Sequence, residues 1–80
     1  MLTELRKGNK TVGIKQSRKA VNEGKVRRVY IALNADTMLC DPIETLCKDA
    51  GVAVCHVQSM EQLGNACGIN VGTAVAALLK

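Results

Sequence analysis

The stretch TVGIKQSRKAVNEGKVRRVYIAL, residues 11–33, decides the fold. Thr11-Val12 reads as a very short strand that turns at Gly13. Residues 14–23 then keep helical spacing. Ile14, Ser17, Ala20 and Val21 share one face, and Lys15, Arg18, Lys19 and Asn22 fall on the opposite side. Gly24 stands where a left-handed helix cap belongs. Residues 26–33 follow, and the unbroken apolar run Val29-Tyr30-Ile31-Ala32-Leu33 suits a strand covered on both faces.

The same alternation continues downstream. Asp41-Pro42 reads as the opening of a helix, with Asp41 as cap, Pro42 in the first turn and Glu44 completing a capping box. Ile43, Leu46, Cys47 and Ala50 repeat at i, i+3, i+4 and i+7, which puts Cys47 in the core, and Gly51 ends the helix. Residues 52–57 predict a second buried strand. Ser59 with Gln62 forms another capping box. Met60, Leu63, Ala66 and Cys67 line the inner face of a third helix, which Gly68 stops. Residues 73–79 are ambiguous locally, since Ala and Leu favour helix. The strand–helix order before them predicts a closing strand. The expected architecture is a three-layer α/β/α sandwich around a mixed sheet of about four strands, a common sheet size, in one domain spanning residues 1–80.

With 80 residues, the core must be modest. It must be aliphatic too, because Tyr30 is the only aromatic residue. That excludes the single-strand RNA folds that stack bases on aromatic platforms. The net charge of +4 is unevenly spread. Residues 1–28 hold nine Lys and Arg against Glu4 and Glu23, a net of +7, while residues 29–80 hold Lys48 and Lys80 against five acids, a net of −3. A basic first third on an acidic body fits a polyanion partner; taken alone, it fits a charged solvated face equally well. No signal peptide is expected, because positions 1–10 are polar and basic. The longest apolar run, residues 71–79, is about half a membrane span. A cytoplasmic protein without membrane contact is expected, and a monomer, since no exposed apolar stripe is evident.

Cys40, Cys47, Cys55 and Cys67 form no close-spaced pair, so neither zinc nor another metal is expected. Free thiols acting as small buried hydrophobes fit a reducing compartment. His56 is the one histidine and Cys55 its neighbour. Adjacent strand residues point to opposite faces, so the two cannot form a nucleophile–base pair. Gly68-Ile69-Asn70-Val71-Gly72 lacks the Lys-Ser/Thr of a phosphate loop. Neither an enzyme nor a cofactor is expected. The binding features are stronger. Lys15, Arg18 and Lys19 share a helix face with Gln16 at its edge, and Gly13 precedes a helix N-terminus that favours phosphate. Lys and Arg supply charge, while Gln16 can both donate to and accept from a base edge.

Gly13-Ile14-Lys15-Gln16-Ser17-Arg18-Lys19-Ala20, Val29-Tyr30-Ile31-Ala32, Asn34-Ala35-Asp36 and Leu63-Gly64-Asn65-Ala66-Cys67-Gly68 occur in this order across the chain. Together they resemble the kink-turn RNA-binding ribosomal proteins, the superfamily of L-seven-Ae and L-thirty-e. The Gly-Ile-Asn-Val-Gly turn looks closest to bacterial YbxF-type members. The resemblance implies an α/β/α sandwich without catalytic activity that binds kink-turns, where a bulged RNA helix bends beside tandem sheared G·A pairs. It implies that Gln16 and Lys19 address guanine edges, with Lys15 and Arg18 alongside, and that Gly13 allows close approach. It also implies that Ile69, Asn70, Val71 and Gly72 pack on a flipped-out nucleotide that Asp36 faces. Lys15-Gln16 replaces the Asn-Glu common in the family; Val71 replaces a frequent Arg, and Met60 a frequent Lys. The implied partner is a kink-turn in ribosomal RNA or a riboswitch. An adaptor whose basic face meets an acidic protein is the alternative.

Overall fold

The computed structural model describes residues 2–80. In chain order the elements are α1 (Leu2–Lys7), β1 (Lys10–Val12), α2 (Ile14–Asn22), β2 (Val26–Ala32), α3 (Thr37–Ala50), β3 (Ala53–Val57), α4 (Met60–Ala66) and β4 (Val75–Leu79). The four strands make one mixed sheet in the order β1-β4-β2-β3. β2 and β3 run parallel, and β4 is antiparallel to both β1 and β2. Helices α2 and α3 pack together, as do α1 and α4, giving the expected three layers.

The last strand shows why residues 73–79 could not be read locally. Val75, Ala76, Ala77 and Leu78 are all buried, because β4 sits between β1 and β2 with helices above and below. Small Ala76 and Ala77 bring no bulk to that crowded centre. Tertiary context overrides their helix preference. β2 is the other central strand, buried from Val29 to Ala32. The Tyr30 ring is fully buried, and its hydroxyl accepts from Arg28 Nη1 at 3.3 Å.

Three expectations need correction. The helix read as opening at Asp41-Pro42 is α3, and it starts a turn earlier: Asp36 is its cap, accepting from the Met38 N–H at 2.9 Å, and Pro42 lies inside the helix. Proline removes the N–H that would bond the Met38 carbonyl, but Met38 lies in the exposed first turn, where water can take that carbonyl. Residues 52–57 do not make a buried strand. β3 is at the sheet edge, with Ala53 and His56 exposed. Finally, the first ten residues suggested no element, yet α1 forms there around Leu5, which is fully buried. Two leucines three apart in a six-residue stretch are too short a pattern to read as a periodicity.

Cys40, Cys47 and Cys67 are buried, as small hydrophobes, while Cys55 is half-buried on the edge strand. Burial pushes the thiol pKa of all three buried cysteines up, and for Cys40 the carboxylates of Asp36, Asp41 and Glu44 add to it. A thiol reagent at neutral pH is therefore expected to modify Cys55 first and the other three only as the protein opens; Cys55→Ser should abolish the fast phase. The sign for stability follows. A thiol whose pKa is raised by folding favours the native state below the unfolded value, about 8.5, and loses that contribution as pH rises through the folded value. Denaturant midpoints should hold up to about pH 8 and decline at more alkaline pH.

Candidate nucleic-acid interface

Parallel β1, β2 and β3 end on the side where β4 begins. Four connections meet there: Gly13 into α2, residues 33–36 into α3, residues 58–59 into α4, and residues 67–74 into β4. Hydrogen bonds tie them together. Gly13 N–H donates to Val75 O at 2.8 Å, and Leu33 N–H to Val57 O at 2.8 Å. Asn34 Oδ1 accepts from Met60 N–H at 2.8 Å, and Thr73 N–H donates to Met60 O at 3.1 Å. Asn34 thus docks the second connection onto the start of α4.

Gly13 holds a φ of 100°, and no atom lies within 4 Å of where its Cβ would be. The glycine serves the backbone turn and leaves the surface open for close approach. No side chain caps α2. The first intrahelical bond is Ser17 N–H to Gly13 O, at 3.0 Å. The first-turn N–H groups therefore face outward at the positive end of the helix dipole, a natural anion seat. Lys15, Gln16, Arg18 and Lys19 are exposed, and none is held by a hydrogen bond or ion pair among the described residues. The inner face of the motif fixes the helix: Ser17, Ala20 and Val21 are buried, and the Ser17 and Thr11 hydroxyls lie 3.4 Å apart.

Residues 68–72 reach the same end. Gly68 takes the left-handed turn at φ 80°, and Ile69 N–H donates to Gly64 O at 3.0 Å. Ile69 packs against the core, whereas Asn70, Val71 and Gly72 are exposed. Gly64 and Gly72 allow the loop to lie directly on α4: a Cβ on Gly64 would collide with the Val71 carbonyl, and one on Gly72 would come 3.1 Å from Met60 Cβ. Asp36 also sits at this end, with its carboxylate committed to capping α3.

The sequence reading missed the apolar members of this end. Leu33, Met38, Leu39 and Val71 are the exposed large hydrophobics among the described residues, and all four belong to these connections or the first turn of α3. Of these, Val71 alone is legible as a site residue in the sequence. A signal existed for one other, since Met38 lies outside the Ile43-Cys47 face of α3, whereas Leu39 is spaced onto that face and is exposed only because it sits in the first turn. Their exposure also removes the ground on which a monomer was expected.

The model of the ribosomal protein L7Ae/L30e/S12e/Gadd45 family matches residues 2–80. The chain belongs to that family. Among its relatives, a protein of Geobacillus sp. strain WCH70 named as RNA-binding is 41% identical over 76 residues, covering 95% of this chain and 93% of its own. The RNA-binding protein YbxF of Geobacillus stearothermophilus is 37% identical with the same coverage. Of solved structures, the Giardia lamblia 15.5kD RNA binding protein superposes with a TM-score of 0.93 at 32% identity, over 99% of this chain and 70% of its own. The family thus has the α/β fold described above. No helix among the described residues is long and apolar enough to cross a membrane.

Proposed function

We propose that the chain binds RNA, and that its target is the kink-turn, in ribosomal RNA or a riboswitch. The observation that carries this is the convergence of the uncapped α2 N-terminus, its unengaged Lys15, Gln16, Arg18 and Lys19, and the loop 68–72 at one end of the sheet. Its RNA-binding relatives support the ligand class. Helix α2 enters beside the G·A pairs. Gln16 and Lys19 meet base edges, Lys15 and Arg18 meet phosphates, and Gly13 gives the backbone room. Val71, with Asn70 and Gly72, covers the looped-out nucleotide, and Ile69 holds the loop from beneath. Asp36 borders that nucleotide while its carboxylate caps α3. Recognition is then mainly of shape.

Binding rather than catalysis also suits the remaining polar groups. His56 Nε2 lies 2.8 Å from Glu44 Oε1, across the edge of the sheet, and the Cys55 thiol faces elsewhere.

The test is a titration of a labelled kink-turn duplex against the same duplex with its G·A pairs replaced by Watson–Crick pairs, at two salt concentrations. The kink-turn should bind at least about tenfold more tightly, and both affinities should fall with salt. Equal affinity for the two would refute kink recognition; binding to neither would favour an acidic protein partner.

A further inference from the structure

The basic residues of the first third do not all belong to the α2 surface. Of the nine in residues 1–28, only Lys15, Arg18 and Lys19 lie on α2. Five of the others, Lys7, Lys10, Lys25, Arg27 and Arg28, gather towards the opposite end of the sheet, where β1 and β2 begin and β4 finishes, while Arg6 instead donates from Nη2 to Asn65 O on α4 at 3.4 Å. Lys10 stands in register with Leu78, and the Lys80 N–H donates to Lys25 O at 2.9 Å, which brings the C-terminal lysine into the group.

Two adjoining hollows mark this end, and Leu79 borders both. One is lined by Asn9, Lys10, Gly24, Lys25 and Lys80. The other is lined by Glu4, Lys7, Gly8, Arg27 and Leu78. Strict alternation would send Arg27 and Arg28 to opposite faces of β2. Instead the register shifts between Val26 and Arg28, the mark of a β-bulge. Arg27 accordingly lines the hollow containing Glu4, whose carboxylate accepts from Arg28 at 3.2 Å. Glu4 is thus taken up by Arg28, and Glu23 lies 3.6 Å from Lys25 in an exposed pair. Lys7, Arg27 and Lys80 have no acidic partner among the described residues.

The composition of this end selects its occupant. A protein interface is organised around an apolar centre, but every exposed large hydrophobic among the described residues lies at the other end of the sheet. Lysines and arginines around shallow hollows, whose only large apolar residues, Leu78 and Leu79, are buried and half-buried, suit a phosphate backbone. We propose that this end is a second RNA contact, gripping the backbone of RNA outside the motif held at α2, so that the protein joins two RNA segments. The seven residues of β2 set the two ends about 20 Å apart, so both can be occupied together. The proposal rests on RNA as the ligand class and not on the kink-turn as the motif.

The experiment uses a fully paired RNA duplex as probe. It is offered to wild-type protein already saturated with a short kink-turn duplex, and separately to the Gln16→Ala/Lys19→Ala variant. Both should capture the probe, with affinity falling as salt rises. Lys7→Gln/Lys25→Gln/Arg27→Gln/Lys80→Gln, all exposed positions, should lower capture by about tenfold or more and flatten the salt slope by about 0.7–0.9 for each phosphate no longer neutralised. The same variant should keep its melting temperature and its kink-turn affinity within about twofold. Competition between the kink-turn and the probe for wild-type protein would overturn the proposal, as would undiminished capture by the glutamine variant. Binding of polyglutamate in place of the duplex would overturn it in favour of an acidic protein. Should the kink-turn itself fail to bind, the Gln16→Ala/Lys19→Ala arm still reads the second site alone.

Discussion

Replacing Gln16 and Lys19 together by alanine is expected to lower kink-turn affinity about 100-fold and to leave the fold intact. A side chain placed against a base edge contributes about 1–3 kcal/mol of binding, and each 1.4 kcal/mol is about tenfold. Both residues are exposed and alanine favours helix, so stability should change by less than about 0.5 kcal/mol. The single variants separate the two roles. Gln16→Ala removes a neutral group and should leave the salt slope unchanged. Lys19→Ala removes a charge and should weaken binding and flatten the slope together. Lys48→Ala, on α3 and away from the proposed interface, is the control that should do neither. A loss below about threefold for the double variant would place the RNA elsewhere on the surface.

The legible parts of this molecule were those whose cause is local. The capping hydroxyl of Ser59 accepts from Gln62 N–H at 3.1 Å, as its spacing predicts. Gly24 takes the left-handed turn expected of it, and Gly51 and Gly68, read as helix ends, take left-handed turns as well. Periodicity placed Cys47 in the core and Lys15, Arg18 and Lys19 on an outer face. The missed parts depend on distant partners. Asp41-Pro42 carries the stronger local start signal, yet the true cap, Asp36, lies five residues earlier. There the connection is held by Asn34, which accepts from Met60 N–H, 26 positions away along the chain. β3 reads like β2 because both are apolar, and only the strand order makes one an edge and the other a centre. For the candidate interface, sequence supplied the residues of α2 and the loop but not the apolar Leu33, Met38 and Leu39 beside them. Nor could it show that most of the basic first third sits at the far end of the sheet, because that division follows from the strand directions.

The loop 68–72 depends on one hydrogen atom. Gly64 is a mid-helix glycine with ordinary backbone angles, where alanine would normally add about 1 kcal/mol of helix stability. Here an added Cβ would run into the Val71 carbonyl and lie 3.1 Å from Gly72 Cα, which are backbone atoms that cannot rotate away. Relief requires the loop to lift off α4, against the Ile69-to-Gly64 and Thr73-to-Met60 hydrogen bonds that pin it. Such overpacking costs about 1–3 kcal/mol. Gly64→Ala should therefore lower the melting temperature by about 10 °C, at about 4–8 °C per kcal/mol for a domain of this size. It should also weaken kink-turn binding about tenfold or more, by displacing Val71 from the looped-out nucleotide. Gln62→Ala, an exposed change on the same helix, separates the cause: it should alter neither property. A rise in melting temperature for Gly64→Ala would mean that helix propensity outweighs the clash, and that the loop does not rest on α4.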